Sequence, residues 1–131
     1  MEPAVIAANE AFYDAFRRED HAAMNELWAR RAPVACIHPG WGALLGRDRV
    51  MQSWRAIMEN GAPQIRCASP QVLRLGETAL VICEEHIAGD RLIATNAFVH
   101  EDGQWRIVHH HAGPVGGEAD APVADDPLGP N

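Results

Sequence analysis

The sequence predicts an α+β domain in which three N-terminal helices pack on a curved, mainly antiparallel sheet. Three observations carry that prediction. Apolar residues recur at helical spacing from Val5 to Met58, whereas glycine- and proline-punctuated strand-like runs follow from Gln64 onward. Between two of those runs stands Asp102-Gly103, a strong signal for a two-residue hairpin loop, because both positions tolerate positive φ.

The first helix is expected from about Pro3 to Arg18. Pro3 suits a first turn, Glu2 favours the positive end of the helix dipole and Arg17-Arg18 the negative end. Val5, Ala8, Phe12 and Phe16 form its buried stripe, with Tyr13 beside it. Asp20 then caps a shorter helix whose inner face is Met24, Leu27 and Trp28, ended by Arg30-Arg31 and Pro33. Val34 to His38 is a short strand, followed by the turn Pro39-Gly40-Trp41-Gly42. Trp41 is costly to leave exposed and reads as a plug over the core or a lid on a pocket. A third helix from about Gly46 to Asn60 buries Val50, Trp54, Ile57 and Met58, and Gly61 and Pro63 stop it.

The remainder reads as sheet. Gln64 to Leu75 is a strand interrupted at Ser69-Pro70, where proline must sit at an edge or bulge. Thr78 to Ile87 is the next strand, then a turn at Gly89-Asp90, then the hairpin from Leu92 to His111. Counting outward from Asp102-Gly103 sets His100 opposite Trp105, Phe98 opposite Ile107 and Asn96 opposite His109. One face then carries Phe98, Trp105 and Ile107 near the turn and Asn96, His109 and His111 farther away, the wall of a half-wet pocket. With a two-residue loop at Gly89-Asp90, Ile87 faces Leu92 and Glu85 faces Ala94, and Glu85 joins that wall. A one-residue change in the loop brings Glu84 inward instead.

Length and composition bound the rest. A chain of 131 residues with 47% hydrophobic content supports one domain with a core, here residues 1–115, and a polar tail over 116–131 rich in Gly, Pro, Ala and Asp. The net charge of −7 argues against nucleic acid or an anionic membrane as partner. No apolar run approaches the roughly 20 residues needed to cross a bilayer, and Met-Glu-Pro is not a basic signal start, so a cytoplasmic protein is expected. Cys36, Cys67 and Cys83 match neither a disulfide framework nor a zinc ribbon and read as reduced thiols.

Trp41-Gly42 with Gly46-Arg47-Asp48-Arg49-Val50, the Ser53-Trp54 pair, Ala94-Thr95-Asn96-Ala97-Phe98-Val99, and Trp105-Arg106-Ile107-Val108-His109-His110-His111 before Pro114 together resemble a SnoaL-like domain. That family lies in the nuclear transport factor 2-like superfamily, with ketosteroid isomerases, scytalone dehydratase and the association domain of calcium/calmodulin-dependent kinase. The resemblance spans about Pro3 to Pro114 and implies a cystatin-like cone. It implies an oxyanion-hole role at Tyr13, on the first helix. Where ketosteroid isomerases place a general-base aspartate near the first strand, His38 is the nearest titratable group. The position of their buried acid partner falls on Cys83, Glu85 or Asn96.

The expected chemistry is proton transfer by Glu85 with His109 or His111, on an apolar ligand with a carbonyl or hydroxyl. Tyr13, Trp28, His38, Trp41, Trp54 and Asn96 would line the ligand. An enclosed carboxylate would raise the pKa of its histidine. His109 and His111 with His38 or Glu85 would make a three-ligand zinc set, but no established metal spacing is present, so no metal and no cofactor are expected. The other class of function is a noncatalytic binding or oligomerisation module. Leu80, Ile82, Ile93, Ala97, Val99 and Val108 on the face away from the helices, mixed with Glu84, Thr95, Arg106 and His110, point to a homodimer packed sheet on sheet.

Overall fold

Helical periodicity in the first segment produces α1 (Glu2–Arg17), which buries Val5, Asn9, Phe12, Tyr13, Ala15 and Phe16 in the computed structural model, where residues 2–116 are described. Tyr13, expected beside the stripe, lies inside it. Asp20 caps α2 (His21–Leu27) by accepting from Ala23 N at 3.0 Å. The third helix, α3 (Arg47–Glu59), buries Val50, Ser53, Trp54 and Met58. The strands are β1 (Ala35–Ile37), β2 (Leu44–Leu45), β3 (Ile65–Leu75), β4 (Thr78–Ile87), β5 (Asp90–Glu101) and β6 (Gln104–Pro114). Apart from Gly116, the expected polar tail lies outside the described residues.

The strands form one six-stranded sheet in the order β2-β1-β6-β5-β4-β3, antiparallel except where β1 runs parallel to β6. The α+β architecture is therefore the expected one, extended by β2 and by that parallel pairing. Residues after α2 set the pairing up. Trp28 bridges Ile107, Ala29 N donates to Ile107 O at 3.0 Å, and the chain enters β1 beside His109. The Glu101 carboxylate anchors this passage by accepting from the backbone N–H groups of Arg30, Arg31 and Ala32 at 2.8, 3.0 and 3.1 Å. Arg106, expected on the open outer face, is buried and donates to Glu26 O at the end of α2.

Two registers differ from the sequence expectation. The β4–β5 loop is Ala88-Gly89, both at positive φ, so Ile87 pairs with Asp90 and Glu85 with Leu92 rather than Ala94. Because the slip is two residues, side-chain parity survives and Glu85 still faces the helices, 2% exposed. The β5–β6 ladder is the correction that matters. Phe98 pairs with Ile107 as expected, but Ala97 pairs with His109 and Asn96 with His110. Val108 is an extra, bulged residue, and one inserted residue inverts parity beyond it. His109 and His111 accordingly face outward and His110 inward. A second bulge, between Ala68 and Gln71 with Ser69 at φ 54°, falls at the proline interruption of β3. Bulges of this kind bend strands, and the sheet's concave face receives the three helices.

Candidate functional site

The concave face and α1 enclose a cavity of about 280 Å³. Its walls are mainly Phe12, Phe16, Trp54, Ile57, Ile65 and Ile87, with Pro39, Pro63 and the half-exposed Trp41 also lining it. Four polar side chains reach it: Tyr13 from α1, His38 after β1, Glu85 from β4 and His110 from β6. A larger groove of about 580 Å³ lies between α2 and α3. Its Arg47 is already engaged with the carbonyls of Trp28, Ala29 and Asn25, and no buried carboxylate faces it.

Beneath the cavity the polar groups form one chain. His110 Nδ1 donates to Asn96 Oδ1 at 2.6 Å. Asn96 Nδ2 donates to Asn9 Oδ1 at 2.9 Å and to the Tyr13 hydroxyl at 3.1 Å. Tyr13 in turn donates to Glu85 Oε2 at 2.7 Å, and that same oxygen stands 3.8 Å from His110 Nε2. The loop of contacts thus closes on Glu85. A second set lies on the opposite wall, where His38 Nε2 meets Ser53 Oγ at 2.8 Å and Ser53 donates to Val50 O at 2.7 Å. With the Ser53 proton committed to Val50, His38 Nε2 is the donor in that contact.

Burial governs the protonation of every member. It pushes the Glu85 carboxyl up, against the opposing hydrogen bond from Tyr13. It pushes His110 down to about 3, helped by the nearby histidines 38, 109 and 111, and His38 down to about 4. The Tyr13 hydroxyl is raised by burial first, then by Glu85 and Cys83. The histidine pKa is therefore lowered, contrary to the expectation from an enclosed ion pair, because removing two charges from water costs more than their attraction returns. Burial thus shifts both Glu85 and His110 toward their uncharged forms.

Of the residues expected at the site, Tyr13, His38, Trp41, Trp54 and Glu85 line the cavity. Asn96 is fully buried and reaches the cavity residues through hydrogen bonds. Trp28 is core, packed against Phe12 and Trp54. His109 and His111 do not join the site: His109 Nδ1 donates to Ala35 O at 3.0 Å and His111 is exposed. Asn9, His110 and Ser53 were missed. Asn9 had a signal, since an amide within the apolar stripe between Val5 and Phe12 needs buried partners. Among the described residues no group of three or more His, Cys, Asp and Glu side chains could hold a metal ion.

Residues 5–115 match the SnoaL-like domain family. The chain belongs to that family. This SnoaL-like domain is similar to a candidate dehydratase of the nuclear transport factor 2-like family from Streptomyces avermitilis. The identity is 35%, covering 88% of this chain and 96% of that one, with a TM-score of 0.81. It also resembles a candidate calcium/calmodulin-dependent protein kinase type II association domain from Thiobacillus denitrificans, at 32% identity, 84% and 94% coverage and a TM-score of 0.75. A protein with a cystatin-like fold from Caulobacter vibrioides shares the fold at 16% identity, with 97% and 96% coverage and a TM-score of 0.76. Among curated proteins, F-box protein SKIP8 of Arabidopsis thaliana is 29% identical over 112 residues, 83% of this chain. The chain spans about half the length of that relative, 48%. No helix among the described residues is long and apolar enough to cross a membrane.

Proposed function

We propose that this SnoaL-like domain binds a small, largely apolar molecule bearing a carbonyl or hydroxyl, and that Glu85 and His110 move its proton in an isomerase or lyase reaction without a cofactor. The observation that carries this reading is the closed chain His110–Asn96–Tyr13–Glu85 beneath an otherwise apolar cavity. Eliminating water from a substrate requires an acid for the departing hydroxyl and a base for the neighbouring proton. Glu85, which burial shifts toward its protonated form, supplies the first. His110 Nε2, left as an acceptor because Nδ1 donates to Asn96, supplies the second. The 35% identity to a candidate dehydratase agrees with this division. Native mass spectrometry of the purified protein, followed by turnover of the recovered compound, tests the reading. Glu85→Gln and His110→Gln should each retain the compound and lower turnover by about 100-fold or more. Undiminished turnover in both variants would overturn the assignment.

A second reading, assembly, rests on the outer sheet face, where Leu80, Ile82, Ala97, Val99 and Val108 are half-buried and Ile93 is 44% exposed. We infer a cytoplasmic homodimer packed through this face, with Glu84 and Thr95 at its polar positions, and a partner copy as its occupant. The 32% identity to a candidate kinase association domain favours the same conclusion. Sedimentation at micromolar concentration should give twice the chain mass, and Ile93→Arg should return it to one. A single-chain mass for the unaltered protein would exclude the dimer.

A further inference from the structure

Beside the proton-transfer chain lie two thiols that the proposed reaction does not use. Cys67 on β3 stands directly opposite Glu85 on β4, and Cys83 is two residues before Glu85 on the same inward face. The register makes the two thiols diagonal neighbours on one face of the β3–β4 pair. Each also touches the chain already described. Asn9 Nδ2 lies 3.5 Å from Cys67 Sγ, and the Tyr13 hydroxyl lies 3.4 Å from Cys83 Sγ. Their access to solvent differs sharply. Cys83 is sealed at 1% exposure, whereas Cys67 is half-buried and lines an outer cleft with Arg17, Arg66 and His86. Cys36, the remaining cysteine, is fully buried and has neither thiol as a contact.

We propose that Cys67 and Cys83 are a hydroperoxide-sensitive dithiol, Cys67 the attacking and Cys83 the resolving thiol, whose oxidation to a disulfide is read directly by Asn9 and Tyr13. The steps balance. The Cys67 thiolate attacks a peroxide oxygen; a sulfur–oxygen bond forms, the oxygen–oxygen bond breaks, and hydroxide leaves. Cys83 then loses its proton and attacks the Cys67 sulfenic sulfur; the sulfur–sulfur bond forms and the oxygen departs as water. One peroxide accepts the two electrons given up by the two thiols. Interaction with Cys83, then with Asn9, favours the Cys67 thiolate against burial and the charges of Glu10 and Glu85; interaction with Cys67 first and burial second raise Cys83, and burial raises Cys36 to about 12, so the roles follow the chemistry of each site. The sulfurs must close from this diagonal placement to about 2.05 Å. β3 can supply that movement, because it is the edge strand and its ladder is broken just beyond Ala68.

The test is hydrogen peroxide added to the folded protein, followed by intact mass, tryptic mapping and NMR of side-chain amides. Trypsin cuts after Arg66, Arg74 and Arg91, so the bridge links the fragment Cys67–Arg74 to the fragment Leu75–Arg91. The expected result is that linked pair, a mass loss of about 2 Da, and shifted Asn9 and Asn96 amide signals that dithiothreitol restores. Cys67→Ser should abolish the link and leave Cys83 reduced; Cys83→Ser should leave Cys67 as sulfenic or higher acid. Oxidation at Cys36 first, a bridge between two chains, or Cys67 acids accumulating equally in the unaltered protein and in Cys83→Ser would each overturn the proposal. None of these readouts requires turnover, so the dithiol stands or falls independently of the proposed reaction.

Discussion

His110 Nδ1 donates to Asn96 Oδ1 at 2.6 Å, and the two meet only because Val108 bulges out of the β5–β6 ladder. The bond fixes the imidazole tautomer. Asn96 must present its oxygen to His110, so its amide hydrogens go to Asn9 and Tyr13. Tyr13 is then left to donate to Glu85. One bulged residue in a strand thus sets the direction of every proton along the chain from His110 through Asn96 and Tyr13 to Glu85.

Asn96 is the junction, so its loss should cost more than one hydrogen bond. Asn96→Ala leaves the His110 N–H and the Asn9 carbonyl without their partner, at about 1–3 kcal/mol for each buried unsatisfied group. We expect a loss of about 2–6 kcal/mol in urea denaturation. Asn96→Asp keeps the acceptor for His110 and should recover that contact, while the buried carboxyl is forced to take up a proton whose single O–H can serve only one of Asn9 and Tyr13.

The helices, the Thr78–Ile87 strand and the Asp102-Gly103 hairpin were legible because each rests on local signals: caps, alternation and a turn pair. Glu85 was legible for a subtler reason. The loop after it moved by one position, which slips the pairing by two residues, and a slip of two keeps parity. His110 was not legible because a bulge can form without proline or glycine, and Val108 looks like any other strand residue. β1 running parallel to β6 depends on the Glu101 carboxylate holding the backbone of Arg30 to Ala32, a contact across some 70 positions of sequence that no local pattern encodes.

Acid should destabilise the fold earlier than its surface carboxylates imply. His110 and His38 are held at about 3 and about 4 in the folded chain against 6.5 in the open one, so between those values the unfolded state binds more protons. Their contribution is present above 6.5 and lost as pH falls, at about 1.4 kcal/mol per pH unit for each proton. Glu85 opposes this, since its raised carboxyl favours the folded state at lower pH and loses that contribution as pH rises. Urea melts from pH 7 to pH 4 should show falling stability. In Glu85→Gln the decline at acid pH should steepen, because the opposing group is gone.

Glu101 should matter to the fold and little to the cavity. Its carboxylate accepts three backbone N–H groups, which hold it below the usual carboxylate range. Glu101→Gln turns an N–H group toward other N–H donors, and we expect about 2–3 kcal/mol of lost stability. The native contribution is present above the unfolded carboxyl pKa and fades as pH falls through the folded one. Ligand retained by native mass spectrometry in the folded fraction of this variant would separate the anchor from the site.

The three adjacent histidines give the sharpest contrast. Strict alternation from the hairpin turn places His109 and His111 beside Glu85; the bulge places His110 there. His109→Gln should lose the contact to Ala35 and the edge contact with the His111 ring, and His111→Gln alters an exposed side chain, so each should shift stability by less than about 1 kcal/mol. His110→Gln removes a buried ring packed against Phe12 and Trp54 at centroid distances of 5.1 and 5.6 Å, together with the base facing Glu85. Its proton-detected spectrum should lose the imidazole Nδ1–H signal of the ring bonded to Asn96. If that signal instead disappears in His111→Gln and survives in His110→Gln, the bulge is misplaced and the proton-transfer assignment fails with it.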